Sequence, residues 1–234
     1  MRNTALEVGL TGLVLVVCTG LYLFHFSLIW KHAVDVPYED EWASFESNQL
    51  PIGLSLGGLV AQHNEHRLAT TRLVIWLQYR LNGWNLAIHQ KANFILYALS
   101  LVAVYWLLAS EQPSHLGLAV LCFMVYLLSP INHKNHFMGY QSQIHFWLLF
   151  LVLACYFLFR DPQNWLDNGI GAGAAVLSMY SLAGGVVSSL VLLMMFGLLT
   201  AARVRSCKDS ERCAAYFFHA VVVLVLIGVR HFFG

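Results

Sequence analysis

Residues 6–30 read LEVGLTGLVLVVCTGLYLFHFSLIW, with Glu7 as the only formal charge. A transmembrane helix needs about 20 mostly apolar residues, whereas the apolar part of a secretory leader is about 7–15. Only Arg2 is basic ahead of the stretch, and Val17 stands before Cys18 where a lipoprotein signal calls for a small residue. The stretch is therefore expected to be an uncleaved first span, closed by Trp30, an aromatic suited to the headgroup level. The rest of the chain has the same character. Of its 234 residues 59% are apolar and 11% charged, with a mean hydropathy of +0.64, against roughly 25% charged in soluble domains. This excludes a soluble enzyme and a disulfide-stapled secreted domain. A formal net charge of +1 gives no sign of a nucleic-acid partner.

Working outward, residues 31–84 form a long loop holding acids near its start and a basic-histidine group further on. Within it, Leu50–Val60 is too short and glycine-rich to span, and residues 68–81 mix apolar side chains with Arg72 and Arg80, as an interfacial helix does. Further spans are expected at about 86–108, 116–128 and 144–159. The 34-residue run 169–202 would be about 50 Å as one helix, so a break at Ser181–Gly185 divides it into two spans. A last span covers about 214–229. The expectation is an all-α polytopic bundle of about seven spans, a single transmembrane module over 1–234. Seven spans would take about 140 residues. The basic loop 203–212, with Arg203, Arg205, Lys208 and Arg212, places the N-terminus in the cytoplasm and the 31–84 loop outside. The five cysteines are odd in number and form no CxxC, which argues against a structural zinc site.

Four features carry chemistry. Glu39-Asp40-Glu41 sets three carboxylates together after span one. Crowded like charges raise one pKa, which suits a general base or a cation ligand, and the alternative is a solvated acidic loop. Gln62-His63-Asn64-Glu65-His66-Arg67 would, if helical, put His63, His66 and Arg67 on one face. That face could hold a phosphate or a metal, or simply lie among headgroups. Gly139-Tyr140-Gln141-Ser142-Gln143-Ile144-His145 sits at the mouth of a span, with Gln141 and His145 at i, i+4; these are ligand contacts or interhelical ties. The Gly184-Gly185 break is the fourth, because non-helical backbone at membrane depth needs a protein or water-filled covering. All four fall on the same outer side in this topology.

This order of motifs, over roughly residues 8–203, resembles the bacterial polytopic membrane glycosyltransferases of the C superfamily, which use polyprenyl-phosphate-linked sugars. The resemblance implies an inverting transfer from a polyprenyl-phosphate carrier to an envelope glycan or lipid acceptor at the outer face of the inner (plasma) membrane. It implies Asp40 as the base, with Glu41 beside it. Lipid phosphate and substrate would be bound by His63, Glu65, His66, Arg67 and Arg72, and at the span mouth by Gln141, Gln143 and His145. No cofactor is required; a divalent metal is compatible, with Asp40, His63 and His66 as its candidate ligands. Glu39 and Gly184 depart from the pattern, the latter standing where a polar Asn-Gly turn is expected. The chain is also short for such an enzyme, as an N-terminal portion or short member would be. Two other classes stay open: a non-catalytic or truncated lipid-binding partner subunit, and a histidine-ligated haem or metal membrane protein suggested by the 11 histidines.

Overall fold

The computed structural model describes residues 4–42, 53–64, 66–83, 85–110, 128, 133–161 and 164–206. The expected spans at 214–229 and, except for Leu128, at 116–128 lie outside the described residues, as do Glu65 and the basic loop from residue 207 onward. Helix accounts for 84% of the interpretable residues. Among the described residues, four helical segments are long and apolar enough to cross a membrane: Gly12–His32, Leu86–Leu107, Gly139–Arg160 and Ala183–Thr200. The chain divides into two compact units, Met1–Gly58 with Thr71–His145 and Leu59–Thr70 with Phe146–Gly234.

The first unit is built on α1 (Thr4–His32) and α4 (Leu86–Ser110). Tyr22 stacks on Phe94 at 4.6 Å between ring centroids and donates its hydroxyl to the Phe94 carbonyl at 3.1 Å. Ile29, Phe94, Tyr97, Leu101 and Leu128 form the buried core. Past α1 the chain crosses to the start of α4, where Asp35 Oδ1 accepts from the Leu86 amide at 2.8 Å. A carboxylate there caps free N–H groups and meets the positive end of the helix dipole. The short helix α5 (His133–Phe137) and a 3₁₀ turn, Gly139–Gln141, lead into α6 (Ser142–Arg160). Apolar side chains such as Leu13, Val16 and Phe24 remain exposed along α1, as a lipid-facing helix requires.

The second unit packs α6 from Phe146 onward against α7 (Trp165–Met179) and α8 (Ala183–Ser206). Asn164 caps α7, its Oδ1 accepting from the Leu166 and Asp167 amides. The core is small and apolar, with Ala154, Leu158, Ala175, Leu193 and Phe196 at its centre. A Cβ on Gly171 would meet the Leu158 backbone nitrogen at 2.9 Å, so α6 and α7 approach as closely as glycine allows. Between α7 and α8 the helix breaks at Tyr180–Leu182. The Tyr180 carbonyl accepts from the Ala69 amide at 2.8 Å, and Ser181 shares a hydroxyl hydrogen bond with Thr70 at 2.9 Å. Backbone released by the break is thus re-bonded by the 59–70 segment.

The loop between α1 and α4 holds more structure than its composition suggests. It contains a 3₁₀ turn at Glu39–Trp42, a short helix α2 (Leu56–Val60), strands β1 (Gln62–His63) and β2 (His66–Arg67), and helix α3 (Ala69–Asn82). The strands overturn one conditional reading. His63, His66 and Arg67 do not share a helical face: β1 and β2 pair antiparallel, Gln62 opposite Arg67 and His63 opposite His66. The cause is local. Asn64 adopts φ 50°, the left-handed conformation that asparagine tolerates and that two-residue hairpin loops demand.

Candidate functional site

The three consecutive acids take three different roles because they sit in a 3₁₀ turn. At about three residues per turn, neighbouring side chains diverge by about 120°. Glu39, at φ 48°, faces Lys134, Oε1 to Nζ 3.6 Å. Asp40 is exposed. Glu41 turns inward and is only 2% exposed.

Glu41 is fully engaged. Its Oε2 accepts from the Tyr38 amide at 3.1 Å, while the Glu41 amide donates back to the Tyr38 carbonyl at 3.1 Å. Its Oε1 accepts from the Gly139 amide, also at 3.1 Å and 98 positions away in sequence. One carboxylate therefore closes its own turn and pins it to the Gly139–Gln141 turn. Burial pushes the Glu41 carboxyl above its ordinary range, and the backbone amides of Tyr38, Gly139 and Tyr140 pull against that rise. The shift expected from crowded carboxylates is present, but desolvation drives it and the neighbouring acids do not.

Glu41 thus holds the turn that carries Asp40. Asp40 and Arg72 both lie within electrostatic reach of the Tyr140 phenol. Arg72 comes from α3, half-buried, with Nη1 donating to the Gly58 carbonyl at 3.0 Å. Burial lowers the Arg72 pKa and the neighbouring Tyr140 raises it; a guanidinium stays charged throughout the physiological range. A carboxylate, a phenol and a guanidinium of the first unit, drawn from the loop after α1, the turn before α6, and α3, are thus coupled electrostatically.

Beneath this turn lies a polar core. Gly139 has no room for a side chain, since a Cβ there would fall 2.5 Å from Cγ and Nδ1 of His89. Asn93 donates to the carbonyls of Asn135 at 3.0 Å and Met138 at 2.9 Å. Ser100 donates to the His145 carbonyl at 2.9 Å, and Thr71 shares a hydroxyl hydrogen bond with Ser142 at 3.0 Å. Tyr97 packs against the rings of both His136 and His145, with centroids 4.5 and 4.7 Å away. His25 of α1 closes on His136 at 6.1 Å. Among the described residues, no three His, Cys, Asp or Glu side chains are grouped to hold a metal ion.

The expected site residues therefore divide. Asp40, Glu41, Arg72, Gln141, Gln143 and His145 belong to the first unit, and His63, His66 and Arg67 to the second. Arg67 donates through Nη1 to the Val60 carbonyl at 2.9 Å. Gln141 and His145 do not act as an i, i+4 pair, because the 3₁₀ turn ends at Gln141 and α6 starts at Ser142. Gln141 instead accepts from Gln143 at 3.1 Å. His145 is buried and bonded to the backbone of Asn135.

Sequence reading missed Tyr140 and the support formed by His89, Asn93 and His136. One signal for the latter was available. His89, Asn93, Tyr97 and Ser100 recur at spacings of four, four and three along an apolar segment, a polar stripe down one face of α4. Set against known proteins, the chain matches no family model, no curated protein and no solved structure.

Proposed function

We propose that this chain is a membrane glycosyltransferase-like protein that moves a sugar from a polyprenyl-phosphate carrier to an acceptor hydroxyl. It would act at the outer face of a bacterial inner membrane, with the N-terminus cytoplasmic. The observation that carries the reading is an exposed Asp40 on a turn that buried Glu41 pins to Gly139, with Asp40 and Arg72 both within electrostatic reach of the Tyr140 phenol. In the reaction, the acceptor oxygen attacks the anomeric carbon while the carbon–oxygen bond to the phosphate breaks. The acceptor proton passes to the Asp40 carboxylate, and the bonding pair leaves with the phosphate, whose charge Arg72 offsets. A single displacement inverts the anomeric configuration. Nothing in this scheme calls for a metal. Gln141, held by the buried Gln143, offers an amide contact to sugar hydroxyls, and Glu41 acts as a positioning group.

The test is transfer by purified full chain supplied with polyprenyl-phosphate sugars, read as consumption of the lipid-linked sugar. Asp40→Asn should abolish consumption while leaving membrane insertion and the unfolding midpoint unchanged. Undiminished transfer by that variant would overturn the assignment.

A further inference from the structure

A cavity of about 380 Å³ opens beside the turn that carries Asp40, within the first unit. It lies within the range of small-ligand sites, roughly 300–1,000 Å³, and is far too small for a whole diacyl lipid. Its walls are mainly apolar, from Val34, Val36, Pro37, Phe137 and Met138. Its basic side chains are His32 and Lys134, both exposed. Glu41 also borders it, but the carboxylate oxygens of that residue are turned to the amides of Tyr38 and Gly139.

Three further observations bear on the occupant. His32 is the last residue of the apolar segment Gly12–His32, and Leu86 opens the next one, so the cavity stands where two candidate spans end. Trp30 and Lys91 pair there, with the ammonium 4.2 Å from the ring centroid, a combination typical of the headgroup level. Finally, the non-helical strap after α1 leaves Val34, Val36 and Tyr38 between 53% and 61% exposed. Apolar side chains this exposed beside the exposed Lys134 ammonium suit a surface that meets acyl chains and phosphates together.

We infer that this cavity binds the anionic, phosphate-bearing headgroup of a bilayer lipid, with the phosphate on Lys134 and His32 and the first chain carbons along Val34, Val36 and Phe137. Lys134 faces Glu39 at 3.6 Å, and both are exposed, so a lipid phosphate competes with a weak partner. The site does not rest on the transfer reading and uses none of the groups assigned to proton or phosphate transfer.

Native mass spectrometry of the full chain in detergent, with equimolar phosphatidylglycerol and phosphatidylcholine, tests the inference. Phosphatidylglycerol should be retained about fivefold over phosphatidylcholine, the preference one near-surface cation supplies. Lys134→Glu should bring the two lipids to parity. Val36→Trp, which fills the cavity from an exposed position, should remove retention of both. Asp40→Asn should leave the preference intact, which separates failure here from failure of the transfer assignment. Parity in the unaltered chain, or a preference surviving both Lys134→Glu and Val36→Trp, would overturn the inference. So would complete displacement of the lipid by excess inorganic phosphate, since the apolar wall would then contribute nothing.

Discussion

The two units of this chain bury different things. The second buries mainly alanine, leucine, glycine and hydroxyls, with Asp167 and Asn168 near the start of α7; its hydroxyls mostly bond carbonyls four positions back, as Ser181 does to Leu177 and Thr200 to Phe196. The first buries imidazoles and amides, with His89, Asn93, His136, Gln143 and His145 each no more than 6% exposed. Among the described residues, Nε2 of His89 and of His145, and Oε1 of Gln143, have no hydrogen-bond partner. Burying such groups costs free energy unless they are bonded, and helices associate in apolar surroundings well enough through small residues. The imidazoles and amides concentrated in the first unit therefore report a task there: holding the Gly139–Gln141 turn, and with it the acids after α1.

The sharpest way to break that contrast is Asp40→Asn, which should reduce transfer by about 10²–10⁴-fold, the range of general-base catalysis, with no change in stability. Should activity instead depend on residues of the second unit while Asp40 proves dispensable, the polar core would have some other task. Next is Glu41→Gln. An amide offers one acceptor where the carboxylate serves the Tyr38 and Gly139 amides with two, so a buried N–H loses its partner. The expected loss is about 1–3 kcal/mol, read as a lower unfolding midpoint in detergent together with reduced transfer.

Matching substitutions of glycine sharpen the comparison further. Gly139→Ala drives a methyl into the His89 ring, and Gly185→Ala drives one onto the Ser178 carbonyl of the α7–α8 break. Each should cost about 1–3 kcal/mol through overpacking, but only Gly139→Ala should also lower the transfer rate of the protein that remains folded. Equal effects on rate would erase the functional difference between the units.

The smallest effect concerns pH. Burial raises the Glu41 carboxyl above its model-peptide value of 4.5, so the folded protein holds that proton more tightly than the unfolded chain. Its contribution to stability is full below the unfolded value and declines as pH rises through the raised folded value. The unfolding midpoint of the unaltered chain, measured relative to Glu41→Gln, should therefore fall slightly from acid to neutral pH. A relative rise over that interval would mean that the amide hydrogen bonds outweigh desolvation.

Much of the architecture was legible because hydrocarbon imposes simple rules. Residues 6–30, 86–108 and 144–159 each overlap a helix long and apolar enough to cross a membrane, and the chain breaks within the glycine-containing stretch where one helix would have been too long. The Gln62–Arg67 segment was read less well. Its histidine spacing fits a helix, but one asparagine at positive φ folds it into a hairpin. The acids were legible as a cluster and not as individuals. Three like residues in a row are indistinguishable in composition, and only the 3₁₀ turn separates them into a residue facing Lys134, an exposed carboxylate and a buried clamp.

By itself, the sequence determined that this chain is helical, that several of its helices are of membrane-spanning character, and where its charged minority lies. Those properties follow from local hydropathy and length, which no tertiary contact can reverse at a cost the bilayer would tolerate. Only the tertiary structure decided that Glu41 is the buried acid, that Asp40 lies within electrostatic reach of Tyr140, and that a glycine 98 positions away holds the turn. Each depends on hydrogen bonds and electrostatic contacts between residues distant in sequence, whose directions are set by how the helices pack.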